Sequence, residues 1–411
     1  MELYNSMGQR VERFEPFGDV VTIYVCGVTP YDTTHLGHAF TYVVFDVLIR
    51  YLEASGHTVR YVQNVTDIDD DILRRAEREG MDWQELGNRE TAKFLQDLAA
   101  LNVRPPDFYP RATQEIEKIL EITSDLVEKG SAYEREGNVY FRVHGDAEFG
   151  KLSGYDYETM LATANERGNF PDDPLKEDPL DFVLWQAMKP GEPSWESPWG
   201  PGRPGWHIEC SAMSMRYLGP TIDVHGGGAD LLFPHHECEI AQSEKFTGQE
   251  PFVRFWMHTA MVRMDGEKMS KSLGNMVFVR ELLKQYTSDD VRAYLLAHHY
   301  RAAFEWSDAE MEQAAERARR WRQALEREST ESTEAGPDIS AHAEAFHRAM
   351  RSDLDTPGAL EALDGIAEEI VAAKEAGRDT GDAQRILRGL GSFLGFTFAG
   401  SRNAEVGMRN G

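Results

Sequence analysis

The chain of 411 residues has three cysteines, no long apolar run and far fewer basic than acidic side chains. The absence of about 18 consecutive apolar residues excludes a conventional membrane-spanning helix. The first residues lack the basic patch and apolar segment of a signal peptide. Three cysteines are too few for a disulfide framework in a chain of this length. We therefore expect a cytoplasmic protein with no membrane partner.

Positive charge is scarce, with 43 Lys and Arg against 70 Asp and Glu and a formal net charge of -27. Phosphates would be repelled outside a local basic site, which excludes broad, non-specific binding of nucleic acid. A partner held at one local site remains compatible with this charge. The content of 41% hydrophobic and 27% charged residues is ordinary for a globular protein of two or three domains.

The first 65 residues alternate between strand and helix patterns. Residues 20–25 are β-branched and aromatic, residues 40–52 have helical spacing of apolar side chains, and residues 58–63 resemble the first stretch. A strand–helix–strand unit of this length predicts a parallel, Rossmann-like sheet and the α/β class. Strand-like stretches return at 181–185 and 221–225, where we expect the sheet to be completed.

The remaining patterns predict a split Rossmann-like domain, an inserted module and a C-terminal helical bundle. Glycine and proline interrupt every pattern between residues 131 and 199, and residues 328–338 are polar and read as a flexible connection. The predicted segments are 1–130 with 200–250 for the Rossmann-like domain, 131–199 for the module, 251–328 for a lysine-rich loop and helices, 339–396 for the C-terminal helices and 397–411 for a frayed tail.

The junction after the first strand has the features of an anion site. Ligands of parallel α/β sheets lie at the carboxyl ends of strands, beside the N-terminus of the next helix. Gly37 lets backbone approach a ligand, and His35 and His38 can donate hydrogen bonds to phosphate oxygens. An ordinary turn with two surface histidines explains the junction equally well when it is considered alone.

A second candidate phosphate site is the glycine-bounded loop at residues 265–275. Lys268 and Lys271 lie there with two serines, and lysines on a loop can neutralise a pyrophosphate leaving group. Exposed basic loops are common, but this one lies in an acidic chain that also has a strand–turn–helix anion site. The pair favours polyphosphate chemistry.

Four side chains could form a tetrahedral zinc site: Cys26, Cys210, His235 and Glu239. If a helix begins near Pro234, His235 and Glu239 share one face of it. The spacing is not that of a zinc finger, and free cysteines are usually small buried hydrophobes. Spacing alone therefore favours plain core residues. Cys238, three residues after His235, is a competing candidate ligand.

At these residues the chain resembles a known family. His35-Leu36-Gly37-His38 resembles the HIGH motif of class I aminoacyl-tRNA synthetases, and Lys268-Met269-Ser270-Lys271-Ser272 is their KMSKS motif. The stretches GRPGWHIECSAM and DVHGGGADLLFPHHECE resemble those of cysteinyl-tRNA synthetases. The resemblance implies that ATP, with Mg²⁺, activates a carboxylate as an acyl-adenylate. It also implies one Zn²⁺ per chain, held by Cys26, Cys210, His235 and Glu239, that binds the thiolate of substrate L-cysteine.

The resemblance further implies individual roles. His35 and His38 would stabilise the transferring phosphoryl group, and Lys268 and Lys271 would close over pyrophosphate. The implied contacts to ATP and cysteinyl-adenylate are Cys26, Gly27, Val28, Thr29, Thr41, Asn64, Val65, Thr66, Trp206, Gly228, Ala229, Asp230 and Val262.

The acidic run at residues 67–71 is better explained by the start of a helix, where acidic side chains are favoured, than by a metal site.

Two groups of enzymes within this family differ in the acceptor. The cysteine:glucosaminyl-inositol ligases of mycothiol synthesis have a run that resembles CGVTPYDTTHLGHAFTY of this chain. Residues 166–171 also resemble these ligases, although Asn169 and Phe170 depart from their pattern. We expect no anticodon-binding domain after about residue 396. Residues 110–113, residues 223–228 and Glu239 instead resemble the tRNA synthetases. We expect a monomer that uses an amino-sugar acceptor, with tRNA(Cys) as the alternative.

Overall fold

The computed structural model describes residues 1–30, 34–264, 266–269, 274–326 and 334–399. The strands are β1 (Glu2–Asn5), β2 (Arg10–Arg13), β3 (Val20–Val28), β4 (Thr58–Val65), β5 (Ala132–Arg135), β6 (Asn138–Phe141), β7 (Phe182–Ala187), β8 (Gly202–Pro204), β9 (Ile222–Gly228), β10 (Val253–Thr259), β11 (Val262–Met264), β12 (Glu267–Lys268) and β13 (Phe304–Glu305).

Helices connect these strands and make up most of the chain after β13. They are α1 (Leu36–Ala54), α2 (Asp70–Glu79), α3 (Trp83–Ala100), α4 (Ile116–Glu128), α5 (Tyr157–Asn165), α6 (Trp206–Leu218), α7 (Glu237–Thr247), α8 (Val279–Leu282), α9 (Ser288–Leu296), α10 (Asp308–Leu325), α11 (Ser340–Arg351), α12 (Thr356–Glu375) and α13 (Gly381–Phe393). None of the described helices is both long and apolar enough to cross a bilayer.

The central sheet has the order β10–β9–β3–β4, and all its strands are parallel. The Rossmann-like prediction is thereby confirmed, including the strand expected at 221–225. Tyr24 of β3 is paired with His225 of β9, so the two strands end side by side. Helix α1 follows β3, and its apolar side chains fill the core against the sheet. The carboxyl ends of these parallel strands carry the predicted site.

The strand expected at 181–185 exists as β7, but its assignment to the central sheet is wrong. It lies between β6 and β8 in an antiparallel sheet of order β5–β6–β7–β8. A tight turn at Glu136 and Gly137, both with positive φ, joins β5 to β6. An apolar strand pattern reports that a strand is buried and does not report its partner, and here the partner is this local hairpin.

Close backbone packing fixes how β3 meets β4. A Cβ atom on Gly27 would lie 1.6 Å from the carbonyl oxygen of Asn64, so only glycine fits. The amide N–H of Gly27 donates to Oδ1 of Asn64 at 2.7 Å. The strand register shifts between Val25 and Val28 at the same place. The carboxyl ends of the two strands are therefore held in contact.

A buried ion pair joins α1, which packs on the central sheet, to α9. The guanidinium of Arg292 in α9 lies 2.6 Å from the carboxylate of Asp46 in α1, and both side chains are fully buried. The same guanidinium donates to the carbonyl oxygens of Leu101 and Leu394. The buried guanidinium and the buried carboxylate are thus paired with each other, because an unpaired buried charge would be costly. The predicted connection at 328–338 and tail at 397–411 fall partly outside the described residues.

Replacing Gly27 by Ala should lower the free energy of unfolding by more than about 3 kcal/mol, because the new methyl group collides with the backbone of the neighbouring strand. Chemical denaturation measures the change. Gly18→Ala is the matched control: no atom lies within 4 Å of its Cβ position, and its effect should stay within about 0.5 kcal/mol. Equal effects of the two substitutions would contradict the close-packing explanation.

Candidate active site

Four predicted ligands from separate segments meet below the carboxyl edge of the central sheet. Cys26 lies in β3, Cys210 in α6, Glu239 in α7, and His235 in the turn before α7. The Cys26 sulfur lies 3.9 Å from that of Cys210 and 3.7 Å from Oε1 of Glu239. Nε2 of His235 lies 3.1 Å from the same carboxyl oxygen. All four are buried, and their donor atoms lie within 4.8 Å of one another.

Two further histidines, which sequence reasoning missed, border the same cluster. Nε2 of His236 lies 3.4 Å and Nε2 of His225 lies 3.5 Å from the Cys26 sulfur. With Cys26 and Glu239 they form a second set that could hold a metal ion. A helix through 232–236 would turn adjacent histidines to different sides, but Phe233 is not helical and both rings face the cluster. In the sequence, His236 stands out only as the neighbour of His235, and His225 only as the last residue of the strand predicted at 221–225.

Cys238 is buried but belongs to neither of the sets found among the described residues. It lies at the start of α7 and faces a large cavity, whose lining is given below. The competing candidate ligand of the sequence is therefore not placed with the other donor atoms. Completion of the cluster by Glu239 rather than Cys238 is the arrangement that the side chains support.

Burial sets the protonation preferences of the cluster. It raises the pKa of Cys26 and Glu239 and lowers the pKa of His225 and His236. A hydrogen bond from the Cys26 thiol lowers the pKa of Cys210 to about 7. Without a cation the cluster therefore favours neutral groups and one thiol poised to ionise. A bound cation would oppose these shifts, since it stabilises thiolate and carboxylate.

Hydrogen bonds outside the cluster fix the ring orientations. Nδ1 of His235 lies 2.9 Å from Nδ1 of His207. Nδ1 of His236 lies 2.8 Å from Nε2 of His258, whose other ring nitrogen lies 2.8 Å from the hydroxyl of Ser6. Each outer bond leaves an Nε2 atom directed at the cluster. Metal-binding histidines are oriented in the same way.

The two histidines of the predicted phosphate site lie at the N-terminus of α1. Nδ1 of His35 accepts from the backbone N–H groups of Gly37 and His38, at 3.1 and 3.4 Å, and caps the helix. The rings of His35 and His38 stack with centroids 3.7 Å apart. Because Nδ1 of His35 is an acceptor, its neutral ring carries the proton on Nε2, which can donate. Residues 31–33 of the predicted loop lie outside the described residues.

Predicted nucleotide contacts from β3, β4 and α1 lie near one another. The N–H of Thr66 donates to the carbonyl oxygen of Val28 at 3.1 Å, just beyond the Gly27 contact with Asn64. The hydroxyls of Thr41 and Thr259 are 2.7 Å apart. Of the remaining members of this group, Thr29 directly follows β3 and Val65 ends β4. Their roles in binding stay predictions.

Gly228, the last residue of β9, leads into a short helical turn that holds Ala229 and Asp230, and their contacts with the nucleotide stay a prediction. A Cβ atom on Gly228 would lie 2.6 Å from Oδ1 of Asp230, so glycine lets that side chain fold back. Arg167, from the module, donates to the carbonyl oxygens of Asp230 and Phe233. Sequence reasoning had not linked Arg167 to this turn.

The remaining predicted residues lie on α6 and on the β11–β12 hairpin. The Trp206 ring stacks on that of His235, with centroids 4.2 Å apart. Val262 begins β11, and the backbone of Arg263 pairs with that of Lys268 in β12. Lys271 lies outside the described residues. The hairpin thus leads directly into the lysine-rich segment.

A cavity of about 830 Å³ separates the antiparallel sheet from the ligand cluster. We call it the module cavity; the lining residues that matter below are Asp69, Phe170, Gln186, Met188, Trp206 and Glu209. Volumes of this size are typical of small-molecule sites. Trp206 and Glu209 bring the cavity to within one layer of side chains of the cluster.

A parallel sheet with an inserted module and two histidines at a helix N-terminus defines the class I synthetase catalytic architecture. A family model for the catalytic domain of class I (C) tRNA synthetases matches residues 14–316. The chain belongs to this family and is a ligase-type enzyme.

Named relatives of two kinds match along most of the chain. A cysteine–tRNA ligase of Dehalococcoides mccartyi is 47% identical over 400 residues, covering 97% of this chain and 86% of that protein. An L-cysteine:1D-myo-inositol 2-amino-2-deoxy-alpha-D-glucopyranoside ligase of Thermomonospora curvata is 49% identical over 356 residues, covering 86% of this chain and 84% of that protein.

Solved structures share the fold at low sequence identity. Methionyl-tRNA synthetase of Mycobacterium tuberculosis in complex with methionyl-adenylate matches with a TM-score of 0.65 and 17% identity, over 92% of this chain and 88% of that chain. LeuRS of Agrobacterium radiobacter, in a ternary complex, matches with a TM-score of 0.67 and 12% identity, over 94% and 85%. At these identities the likeness establishes the fold alone.

The replacement Asp69→Asn should stabilise the protein increasingly as the pH rises from about 4 to 7. Burial, opposed by a backbone hydrogen bond and Arg203 and assisted by Asp70 and Asp71, raises the pKa of Asp69 to about 6. The folded state therefore holds this proton more tightly than the unfolded state, and wild-type stability falls as Asp69 ionises. Asparagine keeps the N-cap of α2 but does not titrate.

Denaturant unfolding of both proteins at several pH values measures the difference. Asp82→Asn, at the exposed N-cap of α3, is the matched control for replacing a capping carboxylate. A difference between wild type and Asp69→Asn that does not change with pH would contradict the assigned burial.

Proposed function

We propose that this enzyme activates L-cysteine with ATP as cysteinyl-adenylate and transfers it to the amine of a glucosaminyl-inositol acceptor, releasing AMP and pyrophosphate. One observation carries the cysteine specificity: two thiols, an imidazole and a carboxyl group converge in a buried cluster beside the helix of His35 and His38. Such a donor set suits a thiophilic cation, which in turn selects a thiol substrate over a hydroxyl.

Cys26, Cys210, His235 and Glu239 would hold Zn²⁺, since their donor atoms lie close together and their outer hydrogen bonds already orient the rings. When bound, the ion supplies a site for the thiolate of substrate cysteine and so excludes serine. Trp206, stacked on His235, would form one wall of the substrate pocket.

In the first step, a carboxylate oxygen of cysteine attacks the α-phosphorus of ATP, and the bond to pyrophosphate breaks. Nε2–H of His35, together with His38, would donate to the phosphoryl oxygens as charge develops there. Lys268 and Lys271 would neutralise the departing pyrophosphate, with Mg²⁺ accompanying ATP. Asp230 would hold the ribose hydroxyls at the end of β9.

In the second step, the acceptor nitrogen attacks the carbonyl carbon of the adenylate. A C–N bond forms, the C–O bond to AMP breaks, and the nitrogen gives up the proton of its ammonium form before attack and one more afterwards. Asn64 and Thr66, at the end of β4, would border the adenylate during this step.

The amino-sugar acceptor is supported by the run CGVTPYDTTHLGHAFTY and by a relative bearing that ligase name. A second candidate is the charging of tRNA(Cys). It is supported by Glu239, which completes the cluster, and by relatives named cysteine–tRNA ligase that match 97% of the chain.

Incubation with cysteine, ATP and glucosaminyl-inositol should give an amide product, detected by mass, together with cysteine-dependent exchange between ATP and pyrophosphate. A parallel incubation with tRNA(Cys) is the control. Formation of Cys-tRNA without sugar product would replace the proposed acceptor by tRNA, whereas absence of cysteine-dependent exchange would remove both readings.

The cluster assignment predicts the zinc content of variants. Cys210→Ser should reduce bound zinc at least ten-fold, because it removes a thiolate ligand, as measured by elemental analysis of the purified protein. Cys238→Ser, a buried cysteine outside both sets, is the matched control and should keep its zinc. If His236→Asn loses zinc and Cys210→Ser does not, the ion occupies the second set.

A further inference from the structure

We propose that the module cavity is the acceptor site, with the acceptor's ammonium group at the inner end near Glu209 and its sugar ring at the rim beside Phe170. This inference rests on the proposed function and specifies where and in which orientation the amino sugar binds. Three features of the cavity support it: the side chains at the inner end, the proximity of that end to the ligand cluster, and the side chains at the rim.

The inner end has a carboxyl group that lacks a partner. Glu209 is only 1% exposed, lines the cavity, and its Oε2 atom has no hydrogen-bond partner among the described residues. A buried polar oxygen without a donor is costly. An ammonium group offers three N–H donors, one of which could donate to this oxygen. Glu209 therefore marks a place that a protonated amine would occupy favourably.

A second carboxylate reinforces this preference. Asp69 lines the same cavity, and neither Asp69 nor Glu209 forms an ion pair with a described residue. The neighbouring acids differ, because Asp70 is paired with Arg203 and Asp71 with Arg74. Arg203 lines the same cavity, but its single charge is shared between Asp70 and Glu192, so the acidic groups at this end still outnumber the basic ones, which favours a cation.

The inner end is also the part of the cavity nearest to the ligand cluster. Glu209 directly precedes Cys210, and Trp206 stacks on His235. His207, which lines the cavity, is 2.9 Å from His235 between their Nδ1 atoms. In a cysteine held at the cluster by its sulfur, the carbonyl carbon would lie only three bonds from that sulfur. The proposal therefore puts the amine in the part of the cavity that borders the ligand cluster.

The rim combines exposed apolar side chains with a polar group. Phe170 is 72% and Met188 52% exposed, although both line the cavity. Sugar rings offer C–H faces to such side chains and hydroxyl groups at their edges. Oε1 of Gln186 is buried there without a partner and can accept from a hydroxyl. Phe170 is also where the chain departs from the ligase pattern, which makes it a candidate determinant of acceptor specificity.

The test uses the zinc-loaded full chain and the variants Glu209→Gln and Phe170→Ser. Each should raise the acceptor KM in ligation about ten-fold or more, while the KM for cysteine in ATP–pyrophosphate exchange changes less than about three-fold. The combination separates acceptor binding from a general structural defect. Phe17→Ser, at an aromatic residue that is 47% exposed and does not line the cavity, is the matched control.

Glu209 adjoins Cys210, so Glu209→Gln could lose zinc. In that case the outcome is decided by Phe170→Ser, because Phe170 lies in the module. An acceptor KM that both variants leave unchanged, in an enzyme whose wild type ligates the sugar, would overturn the cavity assignment and leave the proposed function intact. A wild type that charges tRNA and shows no heat of binding with glucosaminyl-inositol in isothermal titration would overturn both.

Discussion

The structure depends on burying thiol, imidazole and carboxyl groups in one small volume. Removing such groups from water is costly unless each finds a partner. Part of the cost is offset by outer hydrogen bonds, as between His236 and His258, and a cation held among Cys26, Cys210, His235 and Glu239 would offset more. The elements around the cluster are arranged so that these groups face one another rather than solvent.

Backbone contact makes that arrangement possible. Gly27 lets β3 and β4 end in direct contact, and Gly205 lets the start of α6 lie against the carbonyl of Val183, where a Cβ atom would come within 1.9 Å. Through Gly205 the antiparallel sheet fixes the position of Trp206. The sheet that forms one wall of the module cavity thus also positions Trp206 against the ligand cluster, and would couple the proposed place of cysteine activation to the proposed acceptor site.

The elements that could be predicted are those that depend on near neighbours. β3, α1 and β4 follow from the apolar periodicity of residues 20–65, and Asp69 starts a helix as an acidic capping residue should. The assignment of β7 to the central sheet failed because the same periodicity fits either sheet. His225 and His236 were missed because their inward direction depends on the strand register and on a non-helical Phe233.

Composition and motif order were sufficient for the α/β class, the family and the four expected ligands, since each is encoded in short stretches such as His35–His38. Which donors actually meet could be read only from the folded chain. Cys26 is 199 positions from His225 and 213 from Glu239. Contacts over such separations are set by how sheets and helices pack, so two overlapping ligand sets, an unpartnered Glu209 and the cavity beside it became visible only in three dimensions.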